Sequence, residues 1–508
     1  MKTSNIPKGT LKISFANAIQ YAMMALFYVI LAKTNTLTQV DIGTLSILNF
    51  LAATFALLTL LELPTALTKF ASEKLGRNQR EEATATQRKI IKTVILLSIT
   101  GFIIAIFLSQ IISQQIWNNT EYLLLLIINF TYALLHNINK LFNSVFQALY
   151  LFGKMATVTI IFVVSSRIIA IILAFLKLGV AGVLIGYILG LLLALTVTFK
   201  FLHGKLPQQK TQNVPLKPIF IYSLPLFLTQ LTALILNWAD IVIINSITGD
   251  LSITGVYTIT LNSVGALSLL YIPIMTTIFP RISTHHGLEK PKRISKILKT
   301  TSRILLYLLV PSCVGLAIIA PTALTLFYGP SYAKGAIPLA ILSISTIITA
   351  IFTLYTTTFG AIGKTGQVLK INIIAAISTI FSLLLLVPPL ESTGAATSRL
   401  VTVIITITLA IYLLRKEIEL QVDKEAFWKS IISTAAFVPI LLIVENIFNS
   451  QLSTISMLVI EIILAAIIYL FFLYVLKALK KEDFDLIHQA LPKQLNKYIR
   501  IIENKIVR

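Results

Sequence analysis

The stretch ADIVIINSITGDLSITGVYT, residues 239–258, holds the end of one apolar run, a short polar turn and the start of a second apolar run. Asp240 is the one charged residue between positions 218 and 248. A helix needs about 20 apolar residues to cross the hydrocarbon of a bilayer. The stretch therefore predicts two membrane-spanning helices joined by a short loop, with one carboxylate inside the first of them.

The composition of the whole chain agrees with a membrane protein. Its 508 residues are 56% apolar and 12% charged, with a mean hydropathy of +0.87, whereas soluble domains are about 25% charged. The charges cluster between long apolar runs, which favours helices over the alternating pattern of a membrane β-barrel. The single cysteine, Cys313, excludes an internal disulfide framework and a multi-cysteine metal site.

The apolar runs predict an all-α polytopic membrane protein with fourteen transmembrane helices. The predicted spans are 12–32, 43–66, 93–115, 122–148, 155–176, 179–201, 218–246, 254–280, 302–327, 336–362, 367–388, 394–414, 428–447 and 453–476.

The distribution of positive charge predicts the orientation. With the N-terminus inside, 36 Lys and Arg residues fall in cytoplasmic segments and 3 in outer loops. This bias predicts a plasma-membrane protein with both termini in the cytoplasm. The net charge of +22 is explained by the same bias, so we expect no nucleic-acid partner.

Short segments repeat at a nearly constant offset. IGTLS at 42–46 aligns with TGVYT at 254–258, and three further pairs align at offsets of 209 to 214 residues. The pattern predicts two six-helix lobes related by a parallel repeat, with the substrate path between them. The predicted parts are a first lobe at 1–205, a second lobe at 215–415, two additional helices at 428–479 and a basic interfacial tail at 480–508.

Polar side chains form stripes inside several predicted spans. Such groups are costly in lipid and usually face a bundle interior or a wet cavity. In the fourth span the polar residues are spaced 4, 3 and 4 apart and share one helical face. The candidate substrate-binding residues are His136, Lys140, Asn143 and Gln147 on this span, Arg167 on the fifth, and Asn17 and Tyr21 on the first.

Arg167 lies near the middle of its span, where an arginine costs roughly 2.5–3.5 kcal/mol on insertion. A carboxylate, water or an anionic ligand must offset that cost, whereas Lys140 could also reach the interface along its own stem. The one acid within the predicted spans of the first lobe is Glu62, which is peripheral because it lies near the end of its span. With Lys140 and Arg167 against one glutamate, the first lobe is predicted to line a net cationic cavity that prefers an anionic substrate.

The chain resembles a known transporter family over about residues 10–415. The stretches that carry the resemblance are ILAKTNTLTQVDIGTLSI at 30–47, ADIVIINSITGDLSITGVYT at 239–258, FGAIGKTG at 359–366 and STGAATSRL at 392–400. They are similar to the polysaccharide-biosynthesis transporters, the O-antigen-type lipid-linked oligosaccharide flippases of the multidrug/oligosaccharidyl-lipid/polysaccharide flippase superfamily. Asp240, Gly255 and Tyr257 occupy family positions. The arginine-rich first helices expected of a lipid II flippase are absent.

The resemblance implies a flippase that moves a polyprenyl-phosphate- or diphosphate-linked oligosaccharide from the inner to the outer leaflet by alternating access. Lys140 and Arg167 would screen the phosphates, and the neighbouring amides and Tyr21 would bind sugars. Asp240 is either a structural hydrogen-bonding group or a gating or coupling carboxylate, with Arg399 as its candidate partner. We expect no cofactor, coupling to H⁺, Na⁺ or the membrane potential, a monomer in contact with membrane lipid, and glycan-assembly enzymes as candidate partners.

Other functions remain as alternatives. The main one is a cation-coupled drug antiporter of the same superfamily, which would need a deep acid in the first lobe. A major-facilitator transporter also has two parallel lobes, but KFASEKLGR at 69–77 lacks its loop motif. A membrane enzyme would need a large loop carrying an acidic or histidine-rich site, and the predicted loops are all short. An ATP-driven pump would need a phosphate loop, but TFGAIGKT at 358–365 lacks the first glycine of that motif and ends a predicted span. We therefore expect a transporter that is not an enzyme.

Overall fold

The computed structural model describes residues 6–117, 119–203, 214–421, 423–448 and 454–478. Throughout these residues the regular secondary structure is helical. The helices are α1 (Ile6–Lys33), α2 (Gln39–Leu60), α3 (Leu63–Gly76), α4 (Arg80–Trp117), α5 (Leu123–Ala148), α6 (Phe152–Leu173), α7 (Gly179–Leu202), α8 (Lys217–Thr248), α9 (Leu251–Gly265), α10 (Ser268–Gly287), α11 (Pro291–Ile318), α12 (Ala320–Tyr328), α13 (Ala336–Ala361), α14 (Thr365–Leu414), α15 (Lys424–Phe448) and α16 (Thr454–Val475). The interfacial tail predicted at 480–508 lies outside the described residues.

The all-α membrane fold is confirmed, and each predicted span coincides with a helix or a pair of helices. Within the described residues, 9 helices are long and apolar enough to cross a membrane, or 10 if the bent pair α9 and α10 forms one span. Two of these apolar segments, of 51 and 50 residues, each cover two predicted spans. The count of fourteen therefore stays a prediction.

Several helices break where the sequence cannot continue them. A proline clashes with the carbonyl four residues before it, and α2 ends at Leu60, four residues before Pro64. In α14, Pro388 and Pro389 precede Glu391, whose backbone is non-helical (φ 49°, ψ −126°). The break at Glu391 separates the spans predicted at 367–388 and 394–414.

The chain forms two compact units, Met1–Thr258 and Ile259–Arg508. In the first unit, α6 and α7 pack through small residues. A Cβ on Gly186 would lie 2.4 Å from the backbone nitrogen of Ala170, and one on Gly190 would lie 2.5 Å from Ser166. Close backbone approach through small residues is how membrane helices associate without a hydrophobic driving force.

The start of α9 crosses α2 within the first unit, and the crossing joins residues that the repeat makes equivalent. A Cβ on Gly43 would lie 2.0 Å from the carbonyl oxygen of Leu251, and one on Gly255 would lie 1.9 Å from that of Gln39. The hydroxyls of Ser46 and Thr258, 212 positions apart, lie 2.8 Å from each other. Within the first unit the contact is therefore reciprocal, since each glycine faces the carbonyl oxygen of the residue four positions before the other glycine.

The second unit has its core between α10, α11, α13 and α14. The helices α15 and α16 attach to α11 through hydrogen bonds. The Tyr307 hydroxyl donates to the Ala478 carbonyl (3.1 Å), the Tyr469 hydroxyl to the Tyr307 carbonyl (2.7 Å) and Ser430 to the Leu306 carbonyl (3.0 Å). The two additional helices are therefore fixed to this unit at specific points along α11.

A buried ion pair ties the segment before α15 to α11. Arg303 Nη1 lies 3.1 Å from Asp423 Oδ2, and the two side chains are 3% and 5% exposed. Removing one partner of a buried pair leaves an uncompensated charge and costs about 3–5 kcal/mol.

We therefore expect Arg303→Met to lower the free energy of unfolding by about 3–5 kcal/mol, measured by thermal or denaturant unfolding in detergent. The control is Lys364→Met, because the Lys364–Glu417 pair (3.0 Å) is 50% and 28% exposed and should contribute less than about 1 kcal/mol. Equal effects of the two variants would show that burial of the Arg303 pair is not important for stability.

Candidate functional site

The polar face of α5 fixes this helix inside the first unit. The amide nitrogen of Asn129 donates to the Leu48 carbonyl of α2 (2.9 Å), and that of Asn137 donates to Thr59 (2.7 Å) and to Ser98 of α4 (3.3 Å). These asparagines are fully buried. Asn137 was not among the predicted site residues, and its hydrogen bonds give it a structural role that positions the neighbouring face of α5.

Lys140 forms an ion pair with Glu62. Lys140 Nζ lies 3.5 Å from Glu62 Oε1, and the side chains are 46% and 8% exposed. The Thr65 hydroxyl donates to the second carboxylate oxygen (2.6 Å). An ammonium has three donors and nearly half of the Lys140 side chain is accessible, so an anion can reach it.

Glu62 lies at the break between α2 and α3. Leu61 (φ 47°) and Glu62 (φ 55°) are both left-handed, a conformation that costs an L-residue about 1–2 kcal/mol. The sequence analysis treated this acid as peripheral because it lies near the end of a predicted span. The signal that could have corrected it is the run Glu62-Leu63-Pro64, an acid two residues before a helix-breaking proline.

The Arg167 guanidinium contacts aromatic rings. Its Cζ lies 4.9 Å from the ring centre of Phe27 on α1 and 4.3 Å from that of Tyr187 on α7. Such contacts are worth about 2 kcal/mol each when desolvated, which is comparable to the insertion cost of a central arginine. Two aromatic rings therefore offset the charge, a solution that the sequence analysis did not consider.

In Arg167→Leu the loss of the ring contacts lowers stability, whereas relief of the insertion cost raises it. We therefore expect the free energy of unfolding to change by less than about 1 kcal/mol. Any larger loss of transport would then report the missing positive charge. Thermal unfolding and transport are measured on the same preparation. A loss of more than about 4 kcal/mol, the combined value of the two ring contacts, would instead assign Arg167 a structural role.

His136 belongs to the same aromatic cluster as Arg167. Its ring centre lies 5.8 Å from that of Tyr132 and 6.3 Å from that of Phe162, and Tyr132 lies 5.5 Å from Tyr187. The structure thus links His136 on α5 to Arg167 on α6 through two tyrosine rings. Lys140 lies one helical turn further along α5.

The other predicted binding residues differ in their surroundings. Gln147 accepts a long hydrogen bond from Thr68 (3.5 Å), and Asn143 has a buried amide oxygen without a hydrogen-bond partner in the described part of the chain. Tyr21 on α1 is 41% exposed. The side chain of Asn17 lies outside the described residues. The roles of all four in substrate binding stay predictions.

Asp240 is 2% exposed and accepts hydrogen bonds from the residues around it. The Tyr257 hydroxyl donates to Oδ2 (2.9 Å) and the Ile241 backbone N–H to Oδ1 (3.0 Å). Gly255, at the crossing with α2, lies two residues before Tyr257. The aspartate, tyrosine and glycine that carry the family resemblance are therefore grouped at one junction. Arg399 lies on α14 in the second unit, so its predicted pairing with Asp240 stays a prediction.

The second unit contains a cavity of about 980 Å³ between α10, α11, α15 and α16. Its lining is mainly apolar and includes Leu267, Leu308, Phe437 and Leu470, and it also includes the buried Glu461. A cavity lined in this way accommodates an apolar group better than a sugar.

The chain is similar to one protein family in sequence and to several solved transporters in structure. The model of the polysaccharide biosynthesis protein family matches residues 6–286. The lipid II flippase MurJ in an inward closed conformation superposes with a TM-score of 0.74 at 17% identity, over 91% of this chain and 98% of that chain. An inward-facing multidrug resistance transporter of the MATE family gives 0.62 at 14% identity, over 78% and 94%.

A third structure is a transporter of the same superfamily from Pyrococcus furiosus, described as having a binding pocket of reverse polarity. It superposes with a TM-score of 0.56 at 14% identity, over 84% of this chain and 96% of that chain. A search of curated proteins found no match. Similarity at these identities shows the fold, whereas the family match covers more than half of the sequence. The chain therefore belongs to the polysaccharide biosynthesis protein family, and its fold is that of the MurJ and MATE transporters.

Proposed function

We propose that the protein is a flippase that moves a polyprenyl-phosphate- or polyprenyl-diphosphate-linked oligosaccharide from the inner to the outer leaflet of the plasma membrane. The observation that carries the proposal is the half-exposed ammonium of Lys140 on a polar face of α5. A lysine within a predicted membrane span is costly, and such residues often line a substrate path. The match to the polysaccharide biosynthesis protein family supports a glycan-bearing anionic lipid as the substrate class.

Different residues would bind different parts of the substrate. Lys140 would bind a phosphate oxygen, and Arg167 would add positive charge from its aromatic cluster. Asn143, Gln147, Asn17 and Tyr21 would hydrogen-bond sugar hydroxyls. The apolar cavity of the second unit matches the chemistry of a polyprenyl chain.

The proposed direction follows from electrostatics. With both termini in the cytoplasm, an anionic headgroup moves outward down an inside-negative potential. This contributes roughly 2.3 kcal/mol per charge per 100 mV. The membrane potential is thus a sufficient driving force in this proposal, and coupling to H⁺ or Na⁺ would add to it.

The function is tested in proteoliposomes that contain a polyprenyl-diphosphate-linked oligosaccharide with a fluorescent sugar. A membrane-impermeant quencher added outside measures the accessible headgroups. We expect the purified protein to increase the rate at which internal headgroups become accessible, compared with protein-free liposomes, and an inside-negative potential to increase it further. An unchanged rate would contradict the proposal.

The alternative is a cation-coupled drug antiporter, and one observation favours it. The sequence analysis found no deep acid for such a function in the first lobe, yet Glu62 is buried in the first unit. Its pairing with Lys140 leaves the site without net negative charge, which disfavours an organic cation. Export of ethidium against an imposed H⁺ or Na⁺ gradient by the same proteoliposomes, without movement of the lipid-linked glycan, would establish the alternative.

A further inference from the structure

The backbone bends sharply at the break between α2 and α3. The two left-handed residues at this break, Leu61 and Glu62, are neither glycine nor asparagine. Such residues keep this conformation only where their surroundings hold it. The Glu62 side chain is therefore the place to look for what maintains the bend.

Two contacts hold the Glu62 carboxylate. Lys140 Nζ lies 3.5 Å from Oε1, and the Thr65 hydroxyl donates to Oε2 at 2.6 Å. Thr65 belongs to the first turn of α3, whereas Lys140 belongs to α5. The carboxylate thus connects the break to the helix that carries the polar face.

Lys140 is the same group to which the proposed function assigns the phosphate. The ammonium is the more accessible member of the pair, since its side chain is 46% exposed and that of Glu62 is 8% exposed. A phosphate that carries about two negative charges attracts an ammonium more strongly than a carboxylate that carries one. Headgroup and carboxylate therefore compete for one cation.

We propose that Glu62 is a positioning residue that occupies Lys140 until a phosphate-bearing headgroup displaces it, and that this displacement changes the bend between α2 and α3. This inference rests on the proposed function. Once the carboxylate is released, the contact that holds the left-handed residues Leu61 and Glu62 is lost, so the local backbone relaxes. By linkage, any change of the bend that restores the Glu62–Lys140 pair weakens headgroup binding.

The experiment measures the bend and the binding on one preparation. Spin labels are attached to cysteines introduced at Val40 on α2 and Gly76 on α3, in a Cys313→Ala background, and the protein is placed in nanodiscs. Both labelled positions are exposed, and a side chain at Gly76 would meet no atom within 4 Å. The probes are decaprenyl phosphate and decaprenol, which share the tail and differ in charge.

We expect decaprenyl phosphate, and not decaprenol, to shift the distance between the labels in the wild type. Glu62→Gln should show the shifted distance without lipid and bind decaprenyl phosphate about fivefold more tightly, the size expected for a partly exposed ion pair. The matched control is Glu73→Gln on α3, because Glu73 pairs with exposed Arg77 (2.7 Å) and should behave as wild type.

The outcomes separate the inference from the function on which it rests. Preferential binding of decaprenyl phosphate with the wild-type distance retained in Glu62→Gln would overturn the inference and leave the flippase proposal standing. Failure of the wild type to prefer decaprenyl phosphate over decaprenol would overturn both. If Glu62→Gln does not fold, Thr65→Val removes the other contact of the carboxylate. A wild-type distance between the labels and a wild-type affinity for decaprenyl phosphate in Thr65→Val would then overturn the inference.

Discussion

Replacing Gly255 with alanine is expected to abolish most transport while leaving the protein folded. The added methyl group would lie 1.9 Å from the carbonyl oxygen of Gln39, so α2 and α9 cannot keep their present contact. Overpacking costs about 1–3 kcal/mol, and a cost at the upper end shifts a two-state equilibrium about a hundredfold. A transporter that must close this crossing in each cycle should then accumulate in the conformation where it is open. The measurement is the glycan-flipping rate in proteoliposomes.

The reciprocal geometry supplies a second variant and a control. Gly43→Ala should have the same effect, because its methyl group would lie 2.0 Å from the carbonyl oxygen of Leu251. Gly265→Ala lies on the same helix as Gly255, has no heavy atom within 4 Å of the added methyl group and should transport normally. Wild-type transport by both Gly43→Ala and Gly255→Ala would show that the crossing does not need to close.

Lys140→Ala is expected to reduce transport by about tenfold to a hundredfold, the range for loss of a hydrogen bond to a charged group. Two effects act together, since the headgroup loses its cation and the buried Glu62 carboxylate loses its ion pair. Lys140→Arg keeps the charge and should restore a substantial fraction of the rate. The measurement is again headgroup accessibility in proteoliposomes, with protein amounts matched by folded fraction.

The control for this experiment is Lys200→Ala, because Lys200 is an exposed lysine at the end of α7 in the same unit. Removing it lowers the total charge by the same amount, so a general electrostatic effect would appear in both variants. Equal transport by Lys140→Ala and Lys200→Ala would contradict a specific role for Lys140.

The fold could be predicted from the sequence because its main signals are local. Each helix crosses an apolar environment, so its length and composition are visible in the run of residues that forms it. The breaks were harder to predict. Pro64 ends α2 within what reads as one apolar span, and only the backbone shows that Leu61 and Glu62 turn left-handed there.

The site depends on contacts between distant parts of the chain, which the sequence does not contain. Lys140 and Glu62 are 78 positions apart, and their spacing predicts nothing about their pairing. Arg167 illustrates the same limit. Its cost could be estimated from its position in a span, but its ring partners on α1 and α7 follow from how three helices pack.

The repeat is an intermediate case. The offset between 42–46 and 254–258 is a sequence observation, and two residues that it aligns, Ser46 and Thr258, are in contact within the first unit. Each local match was short, so the sequence could suggest equivalence but not contact. Gly43 and Gly255 permit the contact because they have no Cβ atom, and a Cβ at either position would clash with a backbone carbonyl oxygen.

The central claim is that Lys140 binds the anionic headgroup of a lipid, and equilibrium binding in nanodiscs tests it most directly. Wild-type protein and Lys140→Ala are titrated with decaprenyl diphosphate and with decaprenol. We predict that the wild type prefers the diphosphate by about tenfold or more, as expected for a charge-assisted contact, and that the variant loses most of this preference. Retention of the full preference for the diphosphate by Lys140→Ala would contradict the claim.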